Sequence, residues 1–194
     1  MRGRNSGLNF NRRKRKVNMG LVKEIGIWAG EILLVIIAAV MLVFFVGFRI
    51  SVVGASMSPT LESGDEVLVN RFKYKIFSPK QNDLIVFLPN GNEKSHYYIK
   101  RVIAEPGDKV QVKDGVVYVN GEKFEEKAAV SNIENALLAE NEIIVGEDEY
   151  FVLGDNRNNS EDSRYASIGN VKKEHIVGKA WFVISPWKKF GLIE

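Results

Sequence analysis

The sequence predicts a mostly β domain preceded by one N-terminal transmembrane helix. Two observations lead there. A 24-residue apolar run stands near the N-terminus. The remaining chain is built from short segments rich in β-branched and aromatic residues, broken by Asp-Gly and Asn-Gly pairs.

The anchor comes first in the chain. Residues 25–48 read IGIWAGEILLVIIAAVMLVFFVGF, with Glu31 as the single charge and none from 32 to 48. As a helix this run reaches roughly 36 Å, enough to cross a bilayer. Its Val, Ile and Phe content also fits buried strands, but strands rarely pass about 8 residues, so length selects the helix. Glu31 sits near one end, within reach of the headgroups; a charge at the bilayer centre would cost at least about 2.5 kcal/mol. Val53 and Ala55 resemble the small residues before a signal-peptide cleavage site, but the apolar run exceeds a signal h-region, which favours a retained anchor.

Charge gives the direction. The net charge of +3 is unevenly spread: residues 1–49 carry 9 Lys/Arg and 2 Asp/Glu, and residues 50–194 carry 18 and 22. Arg2, Arg4, Arg12, Arg13, Lys14, Arg15, Lys16 and Lys23 precede the helix, and Arg49 alone closely follows it. The positive-inside rule then gives a basic cytoplasmic N-terminus over 1–24, a transmembrane helix over 25–48 and an extracytoplasmic domain over 49–194. A single-pass protein of the cell membrane is expected. The domain is acidic on balance, which argues against a nucleic-acid partner. The absence of cysteine removes disulfides and thiolate chemistry.

Within the outer domain, VLV (67–69), DLIVFL (83–88), HYYIKRVIA (96–104) and EYFVLG (149–154) read as strands. KVQVKDGVVYVNGEKF (109–124) alternates apolar and polar residues and turns at Asp114-Gly115 and Asn120-Gly121, pairs that supply the positive φ of tight hairpins. GKAWFVI (178–184) reads as a late, well-buried strand, and 125–142 as a surface insertion with a short helix.

Three segments could carry chemistry. Ser56 lies in GASMSPTLESGD (54–65), where Gly54 and Ala55 allow close backbone approach and Pro59 stiffens the chain beyond. Such a turn can present one hydroxyl and aim its amide at a developing oxyanion. His96 and His175 are the only histidines; neither has an evident triad partner, and no HExxH is present, so no metal site is expected. Lys100 lies in YYIKRVIAEPGD (97–108). A strand lysine ordinarily points to water, but a buried one loses ammonium solvation and becomes a usable base. GDNRNNSEDSR (154–164) reads either as a structural turn laced by ion pairs or as a loop holding an active-site lysine. Residue chemistry alone leaves both open.

Together these segments resemble the bacterial type I signal peptidases, in their compact single-span form. SMSPTL (56–61) looks like that family's nucleophile box, YIKRVIAEPGD (98–108) like its lysine box and GDNRNNSEDSR like its third signature. NDLIVFLP (82–89) resembles a further family strand, with Asn82 where glycine is frequent. The resemblance spans about 25–185 and implies a signal-peptidase-like β catalytic domain. It implies Ser56 as nucleophile, Lys100 as general base and Ser160 as the hydroxyl that orients the lysine. Asp162 with Arg164, and Arg101 with Asp155, would hold the loop. An extended substrate would lie beside Val52 to Ser56 and Tyr98 to Lys100, with Met57, Leu61 and Ile99 lining pockets for small side chains. Gly54 replaces a serine that some members use in the oxyanion hole. The implied activity is removal of signal peptides from secreted preproteins. No cofactor is expected; the bilayer and the protein translocation machinery are the further partners. Two rivals remain: a self-cleaving repressor-type Ser-Lys enzyme, which has no use for an anchor, and a tethered peptide-binding module, which has no use for the two catalytic residues.

Overall fold

The computed structural model describes residues 19–46 and 48–193, so the arginines and lysines between positions 2 and 16 lie outside the described residues. The chain divides into two compact units, residues 1–41 and 42–194. The first holds most of helix α1 (Met19–Val46), whose side chains from Met19 to Met41 are all exposed. Its apolar stretch is long enough to cross a membrane. The helix begins six residues before the apolar run expected at 25–48, through the helix-compatible Leu-Val-Lys-Glu segment. Phe48, expected at the helix end, instead opens strand β1 (Phe48–Ser51).

The second unit is built on two antiparallel sheets. Strand β1 pairs with β2 (Glu66–Asn70), with Phe48 opposite Val69. A short helix, α2 (Lys73–Ile76), then leads to β3 (Leu84–Phe87) and β4 (Tyr98–Ala104). The hairpin strands β5 (Lys109–Lys113), β6 (Val116–Val119) and β7 (Glu122–Lys123) follow, then β8 (Ile143–Ile144), β9 (Glu149–Leu153), β10 (Val171–Lys172), β11 (Ile176–Ser185) and β12 (Gly191–Leu192). The larger sheet runs β1-β2-β11-β3-β4-β9-β10, with β12 also on β11; the smaller runs β7-β6-β5-β8. Both hairpin turns adopt positive φ at each central residue: Asp114 and Gly115 at 50° and 76°, Asn120 and Gly121 at 53° and 84°. This is the conformation that the Asp-Gly and Asn-Gly pairs favour.

Strand β3 explains its own lack of alternation. Leu84 and Val86 join one core cluster and Ile85 and Phe87 another, so both faces are buried. Strand β9 is shared in the same way, Tyr150 and Val152 facing one cluster and Phe151 and Leu153 a third. A strand covered on both faces loses its polar side, hence the unbroken apolar runs in the sequence.

The insertion at 125–142 departs from expectation. Its regular structure is one 3₁₀ turn, Leu137–Glu140, and it is more than a surface excursion. Ile133 and Ala139 are buried in the cluster formed by the smaller sheet. Its apolar residues are too irregularly spaced to display a periodicity, so their burial depends on contacts distant in sequence.

Candidate active site

The loop carrying Ser56 joins β1 to β2 and is pinned at its base. Val52 N–H donates to Asp65 O at 2.8 Å, and Gly64 N–H to Val52 O at 2.9 Å. Met57 and Leu61, one helical turn apart and joined by Leu61 N–H to Met57 O at 2.9 Å, are almost completely buried in the core. They anchor the loop from below, while Gly54, Ala55 and Val53 stay exposed. Gly54 has φ +86°, a conformation suited to glycine, which is one reason a side chain is costly there.

Two further bonds set Ser56 itself. Asn156 N–H donates to the Ser56 carbonyl at 3.1 Å, and the Asn156 side-chain amide donates to the Ala55 carbonyl at 3.1 Å. Gly154 lies directly behind: a β-carbon there would stand 2.4 Å from the Ser56 carbonyl and 2.1 Å from Ser160 Oγ. Among the described residues the Ser56 N–H has no acceptor, which leaves it available to an oxyanion.

Lys100 lies in β4 between Ile99 and Arg101, all three buried. Its ammonium is 5.4 Å from the Tyr98 ring centroid. Burial pushes the Lys100 ammonium down to about 8; the carboxylates of Asp162, Glu161 and Asp155 oppose that shift and Arg164 adds to it. Ser56 and Lys100 line one groove of about 350 Å³, together with Val52, Gly54, Met57, Tyr98 and Ile99.

The 154–164 loop is an ion-paired frame. Asp155, fully enclosed, receives Arg101 Nε and a second guanidinium nitrogen at 2.8 Å each, and the Thr60 hydroxyl at 2.5 Å. Asp162 receives Arg164 Nε at 2.8 Å and a second guanidinium nitrogen at 2.9 Å, and the Gly154 amide at 3.1 Å. Arg157 grips Glu126 of the insertion with two bonds of 2.7 Å. Arg164 also donates to the carbonyls of Arg157 and Asn135. The insertion therefore braces this loop.

Two expectations need correcting. The Ser160 hydroxyl is buried without a hydrogen-bond partner, so the bond to Lys100 that the resemblance implies is not made here. It is packed against Gly154 instead. Leu61, expected in a substrate pocket, is wholly inside the core and does not line the groove. Its place one turn after Met57 directs it inward.

Sequence reasoning passed over Asn156, Thr60, Arg157, Asn159 and Glu161. Asn159 and Glu161 line the groove. Exposed His96 lines it too. The signal for Asn156, Arg157, Asn159 and Glu161 was present in the polar density of 154–164, but nothing local says which members of such a run face a site 100 residues earlier.

A family model described as signal peptidase, peptidase S26, matches residues 25–187. Signal peptidase I P of Bacillus subtilis subsp. natto is 35% identical over 184 residues, covering 91% of this chain and 95% of that protein. Signal peptidase IB of Staphylococcus aureus is 36% identical over 181 residues, covering 82% and 91%. Signal peptidase I of Bacillus licheniformis is 32% identical over 169 residues, covering 84% and 89%. The chain belongs to the signal peptidase family, peptidase S26, and is by that membership a serine endopeptidase.

Proposed function

We propose that this protein removes signal peptides from translocated preproteins at the outer face of the cell membrane, using Ser56 as nucleophile and Lys100 as general base. The observation that supports this most directly is a buried lysine, pushed down to about 8, in the same groove as a serine on a tightly held loop. A lysine in that range is partly neutral at working pH and can accept a proton.

The preprotein lies extended between residues 52–56 and 98–100, pairing its backbone as an added strand. The Ser56 Oγ–H bond breaks as Oγ bonds to the carbonyl carbon, and the proton passes to Lys100 Nζ. The carbonyl oxygen gains the charge and meets the unpaired Ser56 N–H. When the C–N bond breaks, the lysinium protonates the leaving amine, freeing the mature protein. Neutral Lys100 then takes a proton from water, whose oxygen bonds to the acyl carbon. The acyl C–Oγ bond breaks, the lysinium returns its proton to Ser56 Oγ, and the signal peptide leaves with a free carboxyl end. Gly54 supplies no hydroxyl to this hole, so the backbone amide is its central donor. Asp155 with Arg101 and Asp162 with Arg164 hold the loop behind Lys100; Ser160 packs against Gly154 within that loop. Helix α1 spans the bilayer with residues 1–24 in the cytoplasm, which places the groove on the side where signal peptides emerge. The translocation machinery is the neighbour that delivers them.

The test is cleavage of a full-length preprotein by the purified protein in detergent. Wild type is expected to cut after a small residue. Ser56→Ala and Lys100→Ala are each expected to lose at least about a thousandfold in rate, as removal of one member of a catalytic unit does. Retention of wild-type rates by either variant refutes the dyad.

A further inference from the structure

We propose that Glu161 is a positioning residue for the Lys100 base, supplying the uncompensated negative charge of the groove and stabilising the lysinium formed when Ser56 is acylated. The inference rests on the Ser56–Lys100 reading above and assigns a role to a residue outside that pair.

The case begins with which charges around Lys100 are already spent. The groups facing it are Tyr98 on its own strand, Asp155, Glu161, Asp162 and Arg164 from the 154–164 loop, and His96 at the groove wall. Asp155 is bound on both oxygens by Arg101, and Asp162 on both by Arg164. Each of those carboxylates is half of a compact pair: Asp162 has the largest pull on Lys100, but its own partner Arg164 offsets it in part. Glu161 differs. Its oxygens accept the Ser167 hydroxyl at 2.7 Å and, at a longer 3.5 Å, the Tyr98 hydroxyl. Both partners are neutral, and among the described ion pairs Glu161 has none with a cation. It is also the carboxylate among the groove-lining residues.

The hydroxyl contacts give the charge a fixed address. Ser167 holds one oxygen, and Tyr98 links the other to the ring that lies 5.4 Å from Lys100 Nζ. A carboxylate placed this way favours the protonated lysine, in the direction opposite to burial. Glu161 therefore limits how far burial weakens the base. It leaves the lysine neutral often enough to react, yet basic enough to take the serine proton, and it lowers the energy of the cation that the acylation step creates.

The experiment is the pH profile of kcat/KM for preprotein cleavage by the full-length protein in detergent, for wild type, Glu161→Gln and Glu161→Asp. Wild type should show an ascending limb centred near pH 8. In Glu161→Gln the limb should move to lower pH by roughly half a unit to one unit. Its plateau above the limb should fall by roughly three- to tenfold, as expected for a weaker base. Glu161→Asp should recover the wild-type midpoint in part, and Ser167→Ala, which frees one Glu161 oxygen, should move it in the same direction as Glu161→Gln by less. A lower plateau with an unmoved midpoint would show Glu161 to be merely structural and overturn the inference while leaving the dyad intact. A wild type with no ascending limb would overturn the lysine base and this inference together.

Discussion

Lys100 shows how a single residue can be costly to the fold and suited to the chemistry proposed for it. Its folded value of about 8 lies below the ordinary 10.5, so between those values the unfolded chain holds more protons than the folded one. Stability from this group therefore rises with pH across that window and is lowest below about 8, where the buried lysine must carry its charge. At pH 7 the penalty is about 3 kcal/mol, a sizeable share of the stability of a small domain. Lys100→Met, similar in length and without charge, is expected to unfold at higher denaturant at pH 7 while losing activity. The gain should vanish near pH 10.5. Chemical denaturation at the two pH values measures this, and a variant less stable than wild type at pH 7 would contradict it. Asn82 gives a smaller case. It has φ +70° and a buried, unpaired Oδ1. Glycine, frequent there in the family, meets neither difficulty.

At the scale of elements, the 154–164 loop and the 52–65 loop act as one object. They are joined by Asn156 to the Ala55 and Ser56 carbonyls and by Thr60 to Asp155. The fit leaves no room at Gly154, where even a methyl group would meet the Ser56 backbone. Gly154→Ala must therefore shift the nucleophile loop, and a displacement near 1 Å can cost about a hundredfold in rate. A fall of that order in kcat, with thermal unfolding still cooperative, is the expected outcome; near-normal kcat would mean that the two loops are not coupled at this contact. The insertion contributes through Glu126 and Asn135, so a segment that looks dispensable in sequence supports the 154–164 loop.

At the scale of the whole molecule, the proposed function gives the apolar helix and the β unit separable tasks. The core clusters all lie within the unit that starts at Leu42, whereas helix side chains up to Met41 are exposed. Removal of residues 1–46 is expected to leave the hydrolytic site formed and to retain cleavage of short peptides. Cleavage of preproteins in lipid vesicles should fall roughly ten- to a hundredfold, the range in which tethering raises effective concentration. Equal rates for the truncated and full-length proteins on vesicle-bound preprotein would argue that the helix does not deliver the site to its substrate.

The division between what was legible early and what was not follows the range of the forces involved. The helix was legible because a long apolar run is a local property, and the hairpins because Asp-Gly and Asn-Gly turns depend on two residues. The three chemical segments were recognisable in order through their resemblance to a family, although residue chemistry alone left Ser56, Lys100 and the polar loop undecided. Leu61 was misplaced because inside and outside depend on how the loop packs. The Ser160 bond was misjudged because its geometry depends on Gly154. Which charge stands alone beside Lys100 was invisible as well. It depends on Arg101 reaching Asp155 across 54 residues and on Thr60 reaching it across 95. A linear sequence supplies the charges, but only the folded chain decides which of them are already paired. Desolvation and pairing, both consequences of packing, set the proton affinity of a strand lysine well below its ordinary value.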